Sequence, residues 1–251
     1  MQNMILLERR ETHYLLTLND PDRRNALSDA LVDDFVAALK QIEADTAVHV
    51  AIITGAGKAF CAGADIKAFN RMDTEQANRY IEKLTGLFLS LRSSDKIWIA
   101  AINGPAVGGG AELVISCDLS LMSAEAKIGF PEINLGLIPG ATGTVSLGCV
   151  VGQPKAKELL LTGKIIPAAE AAAIKLVTCV EPAANLLLAC ETLAVELHDK
   201  NPIALAAIKH VMCAHLHCRP EDAIRLEREA FSACFASDMS KKLRQTFEQR
   251  K

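Results

Sequence analysis

K-I-W-I-A-A-I-N-G-P-A-V-G-G-G-A-E-L, residues 96–113, is the stretch that decides the fold. Its first half is an apolar run of strand length, suited to a strand buried on both faces. Its second half brings in Gly104, Gly108, Gly109 and Gly110 and then a carboxylate, Glu112. Glycine lets the backbone come close to a ligand and leaves amide N–H groups free to point at it. An earlier stretch repeats the plan. V-H-V-A-I-I-T, residues 48–54, runs into Gly55, and A-G-A-D, ending at Asp65, takes the place of G-G-G-A-E. We read the two as successive turns of a coil of strands and helices. Equivalent loops then stack on one face, and amides from two turns converge there.

Working outward, residues 14–19 read as a strand that ends in the turn N-D-P-D-R-R-N, residues 19–25. Ser28 suits the N-cap of a helix over 29–44, with Leu31, Phe35, Leu39 and Ile42 on one face. A second helix over 74–92 carries Ile81, Leu84, Phe88 and Leu91, and 118–123 is a further strand. Past residue 155 helices dominate, over 154–162, 168–174, 185–197, 202–214, 220–235 and 238–251. One strand at 176–181 interrupts them. The expectation is an α/β core over 1–190 that carries the active site. Residues 191–251 form a helical region that closes the pocket or builds a subunit interface.

The 251 residues are half apolar and 23% charged, with a formal net charge of −3 and no long run of one sign. Neither nucleic acid nor an anionic membrane is an expected partner. Eight cysteines occur without a C-x-x-C pair, and the N-terminus lacks a secretory apolar region, so a reducing cytoplasm is expected. No charged residue lies between Glu132 and Lys155. Gly136, Pro139, Gly140, Gly143 and Gly148 interrupt that stretch, which reads as a loop and helix buried in the core, not a membrane span. His210, Cys213, His215, His217 and Cys218 lie close in sequence, but no second cluster completes a four-ligand set, and no metal is expected. Gly55 to Phe60 lacks the third glycine of a dinucleotide loop, and Thr144 breaks a nucleophile elbow around Ser146.

A second carboxylate, Glu132, stands in G-F-P-E-I-N-L-G-L-I-P-G, residues 129–140. Either glutamate alone has an ordinary reading, Glu112 after a helix start and Glu132 at the end of a loop. Together, on two glycine-rich stretches, they can hold a water between them and do acid and base work on one substrate.

F-C-A-G-A-D-I-K (60–67), I-N-G-P-A-V-G-G-G-A-E-L (102–113), S-C-D (116–118) and F-P-E-I-N-L-G-L-I-P-G (130–140) occur in order, with a matching tail at 232–238 and 246–251. In these motifs the chain resembles the enoyl-CoA hydratase/isomerase, or crotonase, family over essentially its whole length. The resemblance implies a spiral of ββα turns with a helical C-terminal region, assembled as a homotrimer or homohexamer. It implies an acyl-CoA thioester substrate and an oxyanion hole made by the amides of Ala64 and Gly109. Glu112 would deprotonate the attacking water and Glu132 would handle the proton at the α-carbon, giving reversible hydration of a trans-2-enoyl-CoA. No cofactor is implied, since coenzyme A is part of the substrate. Its contacts would come from Arg24, Ala26, Ala64, Asp65, Ile66 and Lys67, with Lys251 from a neighbouring subunit. Pro131, Pro139, Gly140 and Thr142 would border the acyl chain. One departure stands out: relatives usually read P-G-A-G-G-T-Q-R where this chain has P-G-A-T-G-T-V-S, residues 139–146. Thr142 thus adds bulk where glycine is usual, which implies short acyl chains. The alternatives are double-bond isomerisation, and a non-catalytic binding protein of the same fold, such as one contacting RNA.

Overall fold

The computed structural model describes residues 3–215 and 218–249, and the side chain of His215 lies outside that description. The main sheet has the order β1-β2-β3-β4-β6-β9, from β1 (Ile5–Arg9), β2 (Tyr14–Leu18), β3 (Val50–Gly55), β4 (Ile97–Ile102), β6 (Leu119–Ser123) and β9 (Cys179–Glu181). β1 pairs antiparallel with β2, and the other pairs are parallel. β3 and β4 are buried on both faces, as their unbroken apolar runs require. Alternate residues sort into two cores. Ala51, Ile53, Trp98, Ala100 and Ile102 face helices α1 (Asp29–Ala44) and α3 (Thr74–Ser93). Val50, Ile52, Ile99 and Ala101 pack instead against Leu186, Cys190 and Ala194 of α8 (Leu186–His198). Residue 190 therefore sits within a helix that covers the sheet's second face.

A smaller sheet stacks beside the first, in the order β5-β7-β8, from β5 (Ala106–Val107), β7 (Lys127–Gly129) and β8 (Ile165–Pro167). Single bridges extend it, Cys61 to Ala106 and Leu27 to Ala64. β2, β3, β4 and β6 are thus each followed by a short segment of this second layer and then by a helical turn or helix. The short helices α2 (Ile66–Phe69) and α4 (Gly109–Val114) follow the second-layer segments after β3 and β4. This is the expected spiral of ββα turns. Ser28 caps α1, accepting from the Leu31 amide at 3.4 Å, and Asp73 and Gln76 form a reciprocal capping box at the start of α3.

Two expectations need correction. The uncharged stretch after Glu132 is not wholly buried. A 3₁₀ turn at Glu132–Leu135 leads through an exposed loop to α5 (Gly143–Val151), leaving Ile138 67% and Val145 72% exposed. Only Pro139, Ala141, Gly143, Ser146 and Leu147 turn inward. An apolar sequence without charge does not say which side faces the core of its own chain. The strand expected at 176–181 is shorter, because Leu176 and Val177 are buried in the turn after α7 (Ala168–Ala173) and pairing with β6 begins only at Cys179.

The remaining helices, α6 (Gln153–Thr162), α9 (Pro202–His215), α10 (Pro220–Ala236) and α11 (Asp238–Gln249), lie where the sequence places helices. α9 is fastened by Lys209, whose buried ammonium donates to Leu91 O, Lys96 O and Asp118 Oδ2 at 2.7–2.9 Å. Asp118 Oδ2 also accepts from the Trp98 amide at 2.8 Å. The aspartate of S-C-D thereby joins α9 to the edge where β4 begins.

Candidate active site

The loop after β3 and the start of α4 meet through glycine. A Cβ on Gly63, whose φ is +84°, would stand 2.6 Å from Val107 O, and one on Gly110 would stand 2.2 Å from Cys61 O. Neither distance is possible for a real side chain, so only glycine permits the approach. The Val107 amide donates to Cys61 O at 3.0 Å, the Leu27 amide to Gly63 O at 2.8 Å and the Gly108 amide to Gly129 O at 2.9 Å. Four segments are thereby locked side by side. Gly108, at φ +57°, turns the chain into α4. The amides of Ala64 and Gly109 donate to no acceptor among the described residues. The Ala64 nitrogen lies 3.8 Å from where a Gly109 Cβ would be. Two free N–H groups so placed can hold a developing oxyanion, with the first turn of α4 adding its partial positive charge.

Glu112 projects from α4 and is 3% exposed. Its Oε1 accepts from the Gly143 amide at 2.7 Å and the Ala141 amide at 2.9 Å, while Oε2 takes no hydrogen bond from any described residue. Burial pushes its pKa up to about 7. The Gly143 amide opposes that rise, the charge of Glu132 adds to it, and the Ala141 amide opposes it too. Glu132 opens the 3₁₀ turn, and its Oε1 lies 3.0 Å from where a Gly108 Cβ would be, against the cap of the helix that carries Glu112. Its Oε2 is buried without a partner, and burial raises its pKa against the pull of its own backbone amide. One carboxyl oxygen of Glu112 is thus pinned and the other free, beside a second buried carboxyl whose pKa is also raised by burial. That pairing suits transfer of one proton in each direction.

The other expected residues fall around this centre. Ala26 is buried, while Arg24, Ile66 and Lys67 are exposed, and among the described residues neither Arg24 nor Lys67 makes an ion pair. The Asp65 carboxylate is already engaged, accepting from the amides of Lys67 and Ala68 and pairing with Arg23 at 3.5 Å. Pro131 precedes the 3₁₀ turn. Pro139 is buried, with its carbonyl accepting from the Thr144 hydroxyl at 2.9 Å. Gly140 faces Ile81 of α3, 3.2 Å from where its Cβ would be. Thr142 caps α5 at φ +101°. Lys251 and His217 lie outside the described residues. His210 contacts Asp95 at 2.9 Å.

Sequence reasoning passed over several supporting groups. Asn25, buried at φ +56°, donates to Ala56 O, Ala59 O and Phe60 O, and its Oδ1 accepts from the Asp20 amide. It ties the turn at 19–27 to the loop carrying Ala64. Its signal was the asparagine that closes a polar turn, a residue type that tolerates left-handed backbone. The Ala141 and Gly143 amides that grip Glu112 left no signal, since a backbone donor has no residue type.

Comparison with known proteins places the chain in a family. A family model described as enoyl-CoA hydratase/isomerase matches residues 8–251. The chain is 35% identical to the short-chain-enoyl-CoA hydratase of Clostridium acetobutylicum over 240 residues, which cover 95% of this chain and 92% of that one. It is 35% identical to the crotonyl-CoA hydratase of Syntrophomonas wolfei, covering 94% and 92%. The crystal structure of an enoyl-CoA hydratase from Bacillus anthracis superposes with a TM-score of 0.95 at 32% identity, covering 100% of this chain and 97% of that one. By sequence over nearly its full length and by its spiral fold, the chain belongs to the enoyl-CoA hydratase/isomerase family.

Proposed function

We propose that this protein is an enoyl-CoA hydratase, adding water reversibly across a trans-2-enoyl-CoA thioester to give a 3-hydroxyacyl-CoA. The observation that carries the reading is two carboxyl groups, one pinned through Oε1 and one buried with a raised pKa, beside two unpartnered amides. Glu112 Oε2 takes a proton from water as its oxygen bonds to C3. The C2–C3 electron pair moves toward the thioester oxygen, which the amides of Ala64 and Gly109 hold. Glu132 then delivers its proton to C2. One proton has left Glu132 and one has arrived on Glu112, so the site resets by passing a single proton back. Losing one amide of an oxyanion hole costs about 3–4 kcal/mol in the barrier.

Isomerisation needs only one carboxyl group to move a proton between two carbons, and two poised carboxyls favour hydration. The thioester is the electron sink, so no cofactor is assigned beyond the coenzyme A of the substrate. Arg24 and Lys67, exposed and without an ion pair among the described residues, suit phosphate oxygens, and backbone at Ala26 and 64–67 suits the pantetheine chain. Among the described residues no helix is long and apolar enough to cross a membrane. All eight cysteines are free thiols, which fits a reducing cytoplasm. Exposed apolar side chains on α10, α11 and the loop after Glu132 support a homotrimer or homohexamer.

The test is incubation with crotonyl-CoA, following loss of the conjugated thioester absorbance. Wild type is expected to turn over, and an unchanged absorbance with intact protein overturns the assignment.

A further inference from the structure

Thr142 has a side chain that nothing in the reaction above uses. Its backbone, at φ +101° and ψ −16°, lies where a β-branched residue is a steric outlier. Both flanks hold it there. The Ala141 and Gly143 amides bind Glu112 Oε1, and the Thr142 carbonyl accepts from the amides of Val145 and Ser146 at 3.1 and 2.8 Å. A threonine that caps a helix ordinarily accepts an amide hydrogen in the first turn. This one does not: its Oγ1 makes no capping bond and is buried without any partner. A buried hydroxyl without a partner is destabilising, and in native proteins such groups mark a missing ligand or water.

Three oxygens of the site stand out among the described residues: Glu112 Oε2, which takes no hydrogen bond, and Glu132 Oε2 and Thr142 Oγ1, each buried without a partner. The first two are taken up by the attacking water and the α-proton. The third is left over, on the residue whose flanking amides hold the base that serves C3. The next acyl atom beyond C3 is C4. We propose that Thr142 is a specificity-determining residue whose hydroxyl hydrogen-bonds an oxygen carried on or near C4, so that the substrate class is a short oxygen-bearing enoyl thioester. The inference rests on the hydratase reading for its placement of the acyl chain.

The test uses non-reacting saturated thioesters, so it stands apart from turnover. Binding of 4-hydroxybutanoyl-CoA and of pentanoyl-CoA, which carries a methyl in place of the hydroxyl, is measured by calorimetry. Wild type is expected to prefer the hydroxylated ester by about 10-fold. Thr142→Val, of the same shape without the hydroxyl, should bring the ratio close to one, and Thr142→Ser should keep it. Thr142→Gly removes the hydroxyl in a residue at ease at this φ, so it gives the same reading should the valine variant fail to fold. Equal ratios in wild type and in the hydroxyl-less variants overturn the proposal, as does a wild type without preference. Failure of the hydratase assignment shows separately, as absent crotonyl-CoA turnover.

Discussion

Glu112 is a residue on which the proposed catalysis and stability pull in opposite directions. Its carboxyl has a pKa of about 7 in the folded chain against 4.5 when free, mainly because burial penalises the charge. Between those values the folded state binds more protons than the unfolded state, so stability falls as pH rises from about 4.5 to about 7 and is flat above. The loss is on the order of 3 kcal/mol. Glu112→Gln should remove this slope, so that in urea unfolding the variant gains on wild type at pH 8 and not at pH 4.5. Glu132, also raised by burial, leaves a smaller slope of the same sign, and a slope undiminished by the substitution would place the titration on another group. The same variant should cut turnover at least about 100-fold, as should Glu132→Gln, and wild-type kcat/KM should climb through about pH 7 as the base ionises. Near-normal turnover of Glu112→Gln would remove it from the reaction. The glycines around both glutamates made the pair legible in the sequence. The twist at Thr142 was not, since it is set by what grips residues 141 and 143.

At the scale of elements, α4 and the loop over Cys61 to Ala64 form one device, since each places an amide the other cannot supply. Gly109→Pro isolates that claim. Gly109 is the first residue of α4, where proline's fixed φ is compatible and its missing N–H breaks no helical bond. A Cβ there crowds only the flexible end of Leu27, at 3.1 Å, and stands at ordinary contact distance from Gly63 Cα and Ala64 N, at 3.6 and 3.8 Å. The variant should keep its circular dichroism and lose about 10²- to 10³-fold in turnover. A folded, fully active proline variant would show that this amide holds no oxyanion. Regular elements were legible nearly to the residue: α1 and α3 announce themselves by apolar residues on one face, β3 and β4 by unbroken apolar runs. β1 was missed because only Ile5 of its five residues is buried, so no alternation marks it. β5, β7 and β8 are too short to carry a period, and only pairing across the second layer defines them.

For the whole molecule, the described surface exposes many large apolar side chains. Phe231 and Phe235 lie with ring centroids 5.9 Å apart on α10, and Phe247 stands 69% exposed on α11. Leu135, Leu137, Ile138 and Val145 form a second exposed group beside the catalytic loop. The sequence hid this, because absence of charge reads alike for a core and for an interface. Burying one phenylalanine side chain is worth about 1.5–3 kcal/mol, so two of them supply several kcal/mol to an interface. At micromolar concentration the protein should sediment as three, or twice three, chains of 27.0 kDa each. Phe231→Glu combined with Phe247→Glu places two charges in each interface, where an unpaired charge is costly. The double variant should sediment as a single chain that keeps its helical circular dichroism, since neither side chain is buried in its own subunit. Its turnover should fall, because the loop that carries Glu132 into the site also exposes the apolar group that assembly would cover. A wild type that sediments as one chain would show that these faces do not associate, and a single-chain double variant with full turnover would show that assembly does not order the site.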